Sequence, residues 1–511
     1  MENLNNQNIP EWLKSKGYLH LSPSLKIGDN WRIYKKQIEN KQFVAKYAFY
    51  PLIHAFIKER KYKKSDSLKH KSKGRSHRHF NIKKNAVEKT AKLRPLHYAS
   101  HYDSLVYTYY AQLLNIKYED KLSRVEGLLD SVTAYRKLII ENSEKGKSTI
   151  HFAKEVFDEI TNRAEKELEI AVLAFDIKGF FSSLVHNQLK ERWSFMIDED
   201  RLPNDHYNVF KSCTNFSYVL LDDLRIKLGK SGRKASFDEK KLSRIRREKG
   251  FKCFFESNQD FREHIRAGKL SIYKNPFVKE VDKRKVSMGI PQGLPISAAL
   301  ANIYLYDFDK AIIENLVLTN NCFYRRYSDD IIVICKVEDI EFTKKYVHNL
   351  ILESQLEISK EKTETFVFRK ESYNSNGEQR LTSTKINNDD THTVGAPLIY
   401  LGFEFRGYNV CVKSTNLARY YRRLISIVKR RCKRAKNRTK NNPESSRAVY
   451  LNQIKKLYNL PVREVDGENR ELKQKERNRT VLTLNEKGEY SSLSKKIVLK
   501  NKFYLLFLAC L

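Results

Sequence analysis

The chain has 511 residues and a formal net charge of +36, from 97 Lys plus Arg against 61 Asp plus Glu, which excludes a small disulfide scaffold and an ordinary near-neutral metabolic enzyme. Hydrophobic residues at 41% with 12% aromatics, and only 18 Gly and 11 Pro, exclude wholesale disorder and collagen-like architecture and leave apolar side chains for several cores. A globular protein this basic is expected to meet a polyanion, because Lys and Arg gain affinity by displacing counterions from a phosphate backbone; a membrane surface is the rival reading.

The chain opens Met1-Glu2-Asn3-Leu4-Asn5-Asn6, with neither a basic nor an apolar targeting region. Through residue 90 aromatics are scattered, and from Lys58 to Arg75 Lys and Arg dominate while Gly74 and several Ser interrupt any helix, which predicts an exposed basic linker or arm. From Arg94 the texture changes. Tyr102 to Leu114, with Tyr118 and Leu122, has the spacing of helices packed on a core. The continuous apolar run Ile170 to Phe175 predicts a buried strand that runs into Asp176, and residues 196 to 285 read as a mixed, basic insertion.

Gly289-Ile290-Pro291-Gln292-Gly293-Leu294-Pro295 predicts a loop leading into a helical face of Leu300, Ile303, Tyr304 and Phe308. Ile331 to Ile334 predicts a second strand directly after Asp329 and Asp330, and Glu371 to Thr393 reads as a polar insertion. After Phe405 the chain becomes helical and cationic, with twelve Lys or Arg and no acid between Lys413 and Lys440. Tyr420, Tyr421, Leu424, Ile425 and Val428 recur there at helical spacing, so one face can pack while Arg422, Arg423, Arg430 and Arg431 meet phosphate. The longest apolar run, Phe503 to Leu511, is too short to span a bilayer. Seven scattered cysteines without a C-x-x-C pair argue against a disulfide framework and a structural zinc site. A cytoplasmic protein without a membrane partner is the expectation.

The chemistry centres on three carboxylates, Asp176 at the end of one apolar run and Asp329 with Asp330 at the start of another. Half-buried carboxylates at strand ends are costly without a cation. A hard divalent ion with oxygen ligands relieves that cost, and two such ions roughly 4 Å apart are what in-line nucleotidyl transfer uses. Mg²⁺ is the natural candidate, with Mn²⁺ second. An isolated Asp-Asp pair is ordinarily a solvated turn or a helix cap, so the surrounding motifs decide.

Those motifs fall in order along the chain. Tyr324-Arg325-Arg326-Tyr327-Ser328-Asp329-Asp330-Ile331-Ile332-Val333 resembles the Y-x-D-D hairpin of reverse transcriptases, and Phe175-Asp176-Ile177-Lys178-Gly179-Phe180-Phe181 resembles the motif that supplies their other metal-binding Asp. Gly289 to Gly293, with Ser297, Leu300, Ala301 and Asn302, is similar to the P-Q-G segment and following helix of group II intron and retron enzymes. Leu356-Glu357-Ile358-Ser359 with Lys362 and Thr363 resembles the motif whose Lys lies near the leaving pyrophosphate, and Tyr400-Leu401-Gly402-Phe403 resembles the primer-grip turn. Arg94 to Asp103 and Ala134-Tyr135-Arg136 are similar to the fingers motifs of bacterial Abi-type and unknown-group defence reverse transcriptases. The resemblance covers about residues 92 to 410.

The resemblance implies a right-hand polymerase of the α/β class, with helical fingers, an antiparallel-sheet palm and a basic helical C-terminal thumb-like region. Its parts would be an N-terminal extension with a basic arm (1–91), fingers (92–170), palm (171–410, with the insertion at about 196–285) and thumb-like region (411–511). Asp176 and Asp329 would hold both metals, supported by Asp330 and the Ile177 carbonyl. Phe181 would clash with a ribose 2′-hydroxyl and so favour deoxynucleotides, Gln292 would meet the incoming nucleotide, and Arg136 and Lys362 its phosphates. Tyr327, Leu401 and Gly402 would contact nucleic acid. The implied activity is RNA-directed DNA polymerisation from dNTPs, with an RNA template or associated noncoding RNA and a DNA product, in anti-phage defence, with a homo-oligomer allowed. The rivals are a template-independent or protein-primed DNA polymerase of the same class, a ribonucleotide polymerase, and a catalytically silent RNA-binding scaffold.

Overall fold

The computed structural model describes residues 9–60, 78–81, 86–89, 91–226, 236–281, 283–387, 389–441, 483–484 and 490–491. The mixed α/β chain divides into two compact units, residues 1–137 with 173–363 and residues 138–172 with 364–511.

In the first unit a four-stranded sheet runs in the order Ala91–Tyr98, Leu52–Arg60, Ser217–Leu220, Tyr273–Lys274. The 52–60 strand pairs antiparallel with 91–98, Ile53 facing Tyr98 and Arg60 facing Ala91, and parallel with 218–220. Two expectations change here. Lys58 to Arg60 belong to a strand, where Lys58 and Arg60 keep exposed side chains while the backbone pairs; residues 61–75 of the expected basic linker lie outside the described residues. The fingers motif at Arg94 likewise sits on a strand, so this region is not purely helical. Residues 196–285 contribute two strands to that sheet, and their Phe254, Phe255, Phe261 and Leu270 share one core with Leu21, Ile53 and Val219. Aromatic burial therefore welds the insertion to the N-terminal residues.

The Tyr- and Leu-rich segment forms the helix His101–Ser123, which buries Leu105, Val106, Tyr107, Tyr110, Leu114, Tyr118 and Leu122. Its N-terminus is capped by the Ser100 hydroxyl, which accepts from the Asp103 amide at 3.2 Å. The Asp103 carboxylate is fully buried and accepts from the Tyr47 hydroxyl at 2.7 Å and the Tyr50 amide at 3.0 Å. Burial pushes its carboxyl up to about 6.

The remaining strands of this unit carry the conspicuous acids. Phe323–Tyr327 pairs antiparallel with Asp330–Cys335, and the latter neighbours the end of the strand Glu169–Asp176. Helices Ser297–Tyr304 and Tyr306–Ile312 bury Leu300, Ile303, Tyr304 and Phe308 as their spacing predicts.

In the second unit the helix Thr149–Lys166 starts at a capping box of Ser148 and His151. Phe157 of this helix stacks on Phe405 at 4.7 Å, and Phe405 on Phe368 at 5.5 Å. Glu364–Ser372, Gln379–Ile386 and His392–Val394 form an antiparallel run, so the polar stretch Glu371 to Thr393 is largely β-structure. Leu398–Tyr400, Phe403–Phe405 and Val410–Val412 form a second antiparallel sheet. The helix Ser414–Asn441 follows, with Leu424 and Val428 buried and Arg422, Arg423 and Arg430 exposed. Phe503 to Leu511 lies outside the described residues. Among the described residues no helix is long and apolar enough to cross a membrane.

Candidate active site

Two residues join the 323–327 and 330–335 strands, Ser328 and Asp329, with Tyr327 directly opposite Asp330. Ser328 has φ 60 while Asp329 keeps a negative φ, the pattern of a II′ hairpin in which glycine is the usual first residue. A serine there holds backbone strain at the position that aims Asp329. The Asp329 carbonyl accepts from the Ile177 amide at 3.1 Å, which laces the turn to the residue after Asp176. Asp176 is anchored in turn, its carbonyl accepting from the Ser359 amide at 2.8 Å.

The Asp329 carboxyl is raised above the usual carboxylate range, first by burial and then by the neighbouring Asp176 charge; Lys362 and Lys92 oppose the rise. Lys362 reaches Asp176 and forms an ion pair with it, Asp176 being 16% exposed and Lys362 52%. Among the described residues no group of three or more His, Cys, Asp or Glu side chains converges in metal-holding geometry. The donors nevertheless suit a hard cation: two electrostatically coupled, half-buried carboxylates already draw in an ammonium.

The mount of this turn was invisible in sequence. Arg326, 0% exposed, donates from Nε to Asp309 Oδ1 at 2.7 Å and from Nη2 to Oδ2 at 2.5 Å. Its Nη1 donates to the Ser328 carbonyl at 3.2 Å and reaches Asn302 Oδ1 at 3.4 Å. The Tyr324 hydroxyl donates to Asp309 Oδ1 at 2.5 Å. A bidentate, desolvated pair thus grips the Ser328–Asp329 turn through its backbone.

Backbone bonds also gather motifs far apart in sequence. In the P-Q-G loop the Ile290 amide donates to the Phe181 carbonyl at 2.8 Å and the Gly289 amide to the Leu184 carbonyl at 2.7 Å. The Gln292 carbonyl accepts from the His97 amide at 2.8 Å, and the Pro291 carbonyl from the Ser297 hydroxyl at 2.6 Å. Gly293 has φ 117, and a Cβ on it would lie 2.5 Å from the His97 carbonyl oxygen, so only glycine permits this approach. Phe181 and Gln292 are half-buried.

Arg136 requires a correction. Its side chain is 2% exposed, its Nε donates to Glu119 at 2.7 Å and its Nη2 at 2.5 Å, and its Nη1 donates to the carbonyls of Leu129 and Val132. The guanidinium braces the turn before it, in place of the triphosphate contact that the motif implied. Tyr135, which sequence reasoning passed over, faces outward instead, its hydroxyl donating to Ser328 Oγ at 3.3 Å and its ring 6.4 Å from that of Tyr327. Tyr327 is half-buried, and burial, helped by Tyr135 and Asp330, raises its phenol.

In the second unit Leu401 (φ 44) and Gly402 (φ 92) form a two-residue hairpin with both loop residues left-handed, the I′ pattern. The Gly402 carbonyl accepts from the Lys413 amide at 2.9 Å, fixing the turn to the start of the cationic helix. On that helix Arg431 is half-buried.

Residues 243–405 match the sequence profile of the family described as reverse transcriptase (RNA-dependent DNA polymerase). The match contains Asp329, Asp330, Gln292, Lys362, Leu401 and Gly402, while Asp176 lies upstream of it. Over those residues the chain resembles a reverse transcriptase domain. No protein with a curated description matches the sequence. Among solved structures, a Candida tropicalis apo telomerase truncated from the C-terminal domain matches at 13% identity and TM-score 0.37, over 64% of this chain and 53% of that one. The apo telomerase of the same organism matches at 14% and 0.34, over 67% and 50%. A Candida albicans telomerase in complex with a TWJ fragment of telomeric RNA matches at 11% and 0.35, over 75% and 49%. The chain spans about half the length of these structures.

Proposed function

We propose that the chain is an RNA-directed DNA polymerase that copies an RNA template into DNA from dNTPs. The observation that carries this reading is the half-buried Asp329 carboxyl, electrostatically coupled to Asp176 and laced to it through the Ile177 amide, inside a region that matches reverse transcriptases. Asp176 and Asp329, with Asp330 and the Ile177 carbonyl, would hold divalent cations, Mg²⁺ or Mn²⁺. Bound there, the cations supply charge neutralisation at the attacking and leaving oxygens of nucleotidyl transfer.

The chain's own residues position the reactants. The P-Q-G loop holds Gln292 toward the incoming nucleotide, and Phe181, tied to that loop through its carbonyl, stands as the barrier to a ribose 2′-hydroxyl. Lys362, which pairs with Asp176, would be available to meet the phosphates where a cation took its place at that carboxylate, since an ammonium and a divalent cation compete for one carboxylate. Tyr327 in the first unit, and separately Leu401 and Gly402 in the second, contact nucleic acid, and Arg422, Arg423, Arg430 and Arg431 meet phosphate along the cationic helix. A primer 3′-hydroxyl attacks the α-phosphate of the dNTP, the bond to the β-phosphate breaks and pyrophosphate leaves.

The four-part division at residues 91/92, 170/171 and 410/411 is part of this proposal. So is a role in anti-phage defence with a cognate noncoding RNA, supported by the resemblance of the Arg94 to Asp103 and Ala134 to Arg136 motifs.

Primer extension on an RNA template with wild type and with Asp329→Asn/Asp330→Asn tests the activity. Complementary DNA made only by wild type is the expected result. DNA unrelated to the template would replace the reading with untemplated synthesis. Its absence from both proteins, with RNA still bound, would replace it with a scaffold. Phe181→Ala should raise ribonucleotide incorporation relative to deoxynucleotides; an unchanged ratio would remove Phe181 from the gate.

A further inference from the structure

Tyr135 has φ 63, a conformation that costs a bulky residue much more than glycine or asparagine. Its neighbours explain how that conformation persists. The Thr133 amide donates to the Arg326 carbonyl at 3.0 Å, the Ala134 carbonyl accepts from Asn302 Nδ2 at 2.9 Å, and Arg136 is forked onto Glu119. Residues 133, 134 and 136 are thus pinned inward, and Tyr135 between them is turned out, 47% exposed. A core-packing tyrosine would be buried, and a residue kept for the turn alone would be Gly or Asn.

The location of this ring is specific. Its hydroxyl donates to Ser328 Oγ at 3.3 Å, and Ser328 itself has φ 60, so two strained residues meet across the catalytic turn. The ring lies 6.4 Å from Tyr327 at an interplanar angle of 40°, beside the carboxylate whose charge Lys362 and Lys92 offset. An exposed aromatic ring is what a nucleobase stacks on, and such stacking tolerates any base.

We infer that Tyr135 is a nucleobase-stacking platform at the catalytic turn, taking the face of a base either from the bound strand or from the incoming nucleotide. Strain at Tyr135 and Ser328 is retained because it presents the ring to that base. The inference rests on the polymerase reading for its substrate and adds a contact that the motifs do not assign.

The test compares the full chain with Tyr135→Phe, Tyr135→Ala and Tyr135→Asn. Kd for a fluorescent primer–template duplex is measured by anisotropy without dNTP, KM for dNTP by primer extension, and Tm for each protein. Stacking of one base is worth a roughly 10- to 100-fold change in the constant it serves. The expected result is that Tyr135→Ala and Tyr135→Asn weaken Kd or KM on that scale, while Tyr135→Phe stays near wild type and Tyr135→Asn melts no lower than wild type. A change in Kd assigns the base to the strand, and a change in KM to the incoming nucleotide. Unchanged constants, or a Tm that falls with them in Tyr135→Asn, would overturn the platform. Wild type that binds the duplex without extending it sinks the polymerase reading, and the anisotropy arm still decides the platform.

Discussion

Arg326 and Asp309, seventeen positions apart on a strand and a helix, form a bidentate ion pair in which both side chains are 0% exposed. The pair is satisfied by Tyr324, Asn302 and the Ser328 carbonyl, so the arrangement of the Ser328–Asp329 turn depends on it.

Removing one partner leaves the other charge buried and alone, which costs about 3–5 kcal/mol. Arg326→Met and Asp309→Leu are each expected to lower stability by that amount in urea denaturation. The double variant should regain much of it, since two apolar side chains leave no orphan charge. Its DNA synthesis should stay impaired, because the Ser328 carbonyl no longer has its donor.

The raised carboxyl of Asp329 gives a pH-dependent prediction. A folded value above the unfolded one means that this group's contribution to stability is present below the unfolded value, near pH 4, and is lost as pH rises through the folded one. At neutral pH the ionised Asp329 therefore opposes folding. Asp329→Asn should melt higher than wild type at pH 7, with the difference shrinking toward pH 4, while DNA synthesis falls to background. Mg²⁺ should raise the Tm of wild type more than that of the variant.

Gly293→Ala tests the clamp between the P-Q-G loop and His97. A left-handed non-glycine residue costs on the order of 1–3 kcal/mol, and the new Cβ would sit 2.5 Å from the His97 carbonyl oxygen. The loop must move, carrying Gln292 with it. KM for dNTP should rise while duplex affinity without dNTP is retained, a split that steady-state kinetics and anisotropy would read.

Arg422, Arg423 and Arg430 are exposed on the cationic helix. Removing one arginine that neutralises a phosphate lowers the log–log salt slope of binding by about 0.7–0.9. Replacing all three by Ala should weaken nucleic-acid binding uniformly across sequences and flatten its salt dependence by about 2 if each arginine meets one phosphate. Unaltered salt dependence would make them a solvated face.

The carboxylates are legible in the sequence because an apolar run ending or beginning in Asp has one economical explanation, a strand that delivers a charge to its tip. The helix of the Tyr- and Leu-rich segment and the burial of Leu300, Ile303 and Phe308 follow from periodicity for the same local reason. Lys58 to Arg60 read as linker because exposed basic side chains on a paired strand have the composition of one. Arg136 reads as a phosphate ligand because a motif conveys residue type and not partner, whereas in the fold Glu119 claims its fork.

By itself the sequence determined the basic, globular character of the protein, the order of its motifs and the positions of Asp176, Asp329 and Asp330, all set by charge and by patterns within a few residues. Only the tertiary structure decided that Ile177 is laced to Asp329, that Arg326 closes on Asp309, that residues 196–285 share a core with Leu21 and Ile53, and that Tyr135 faces out while Arg136 faces in. Those pairings are choices among many partners of similar chemistry, and desolvation and close packing settle them only once the chain has brought distant segments together.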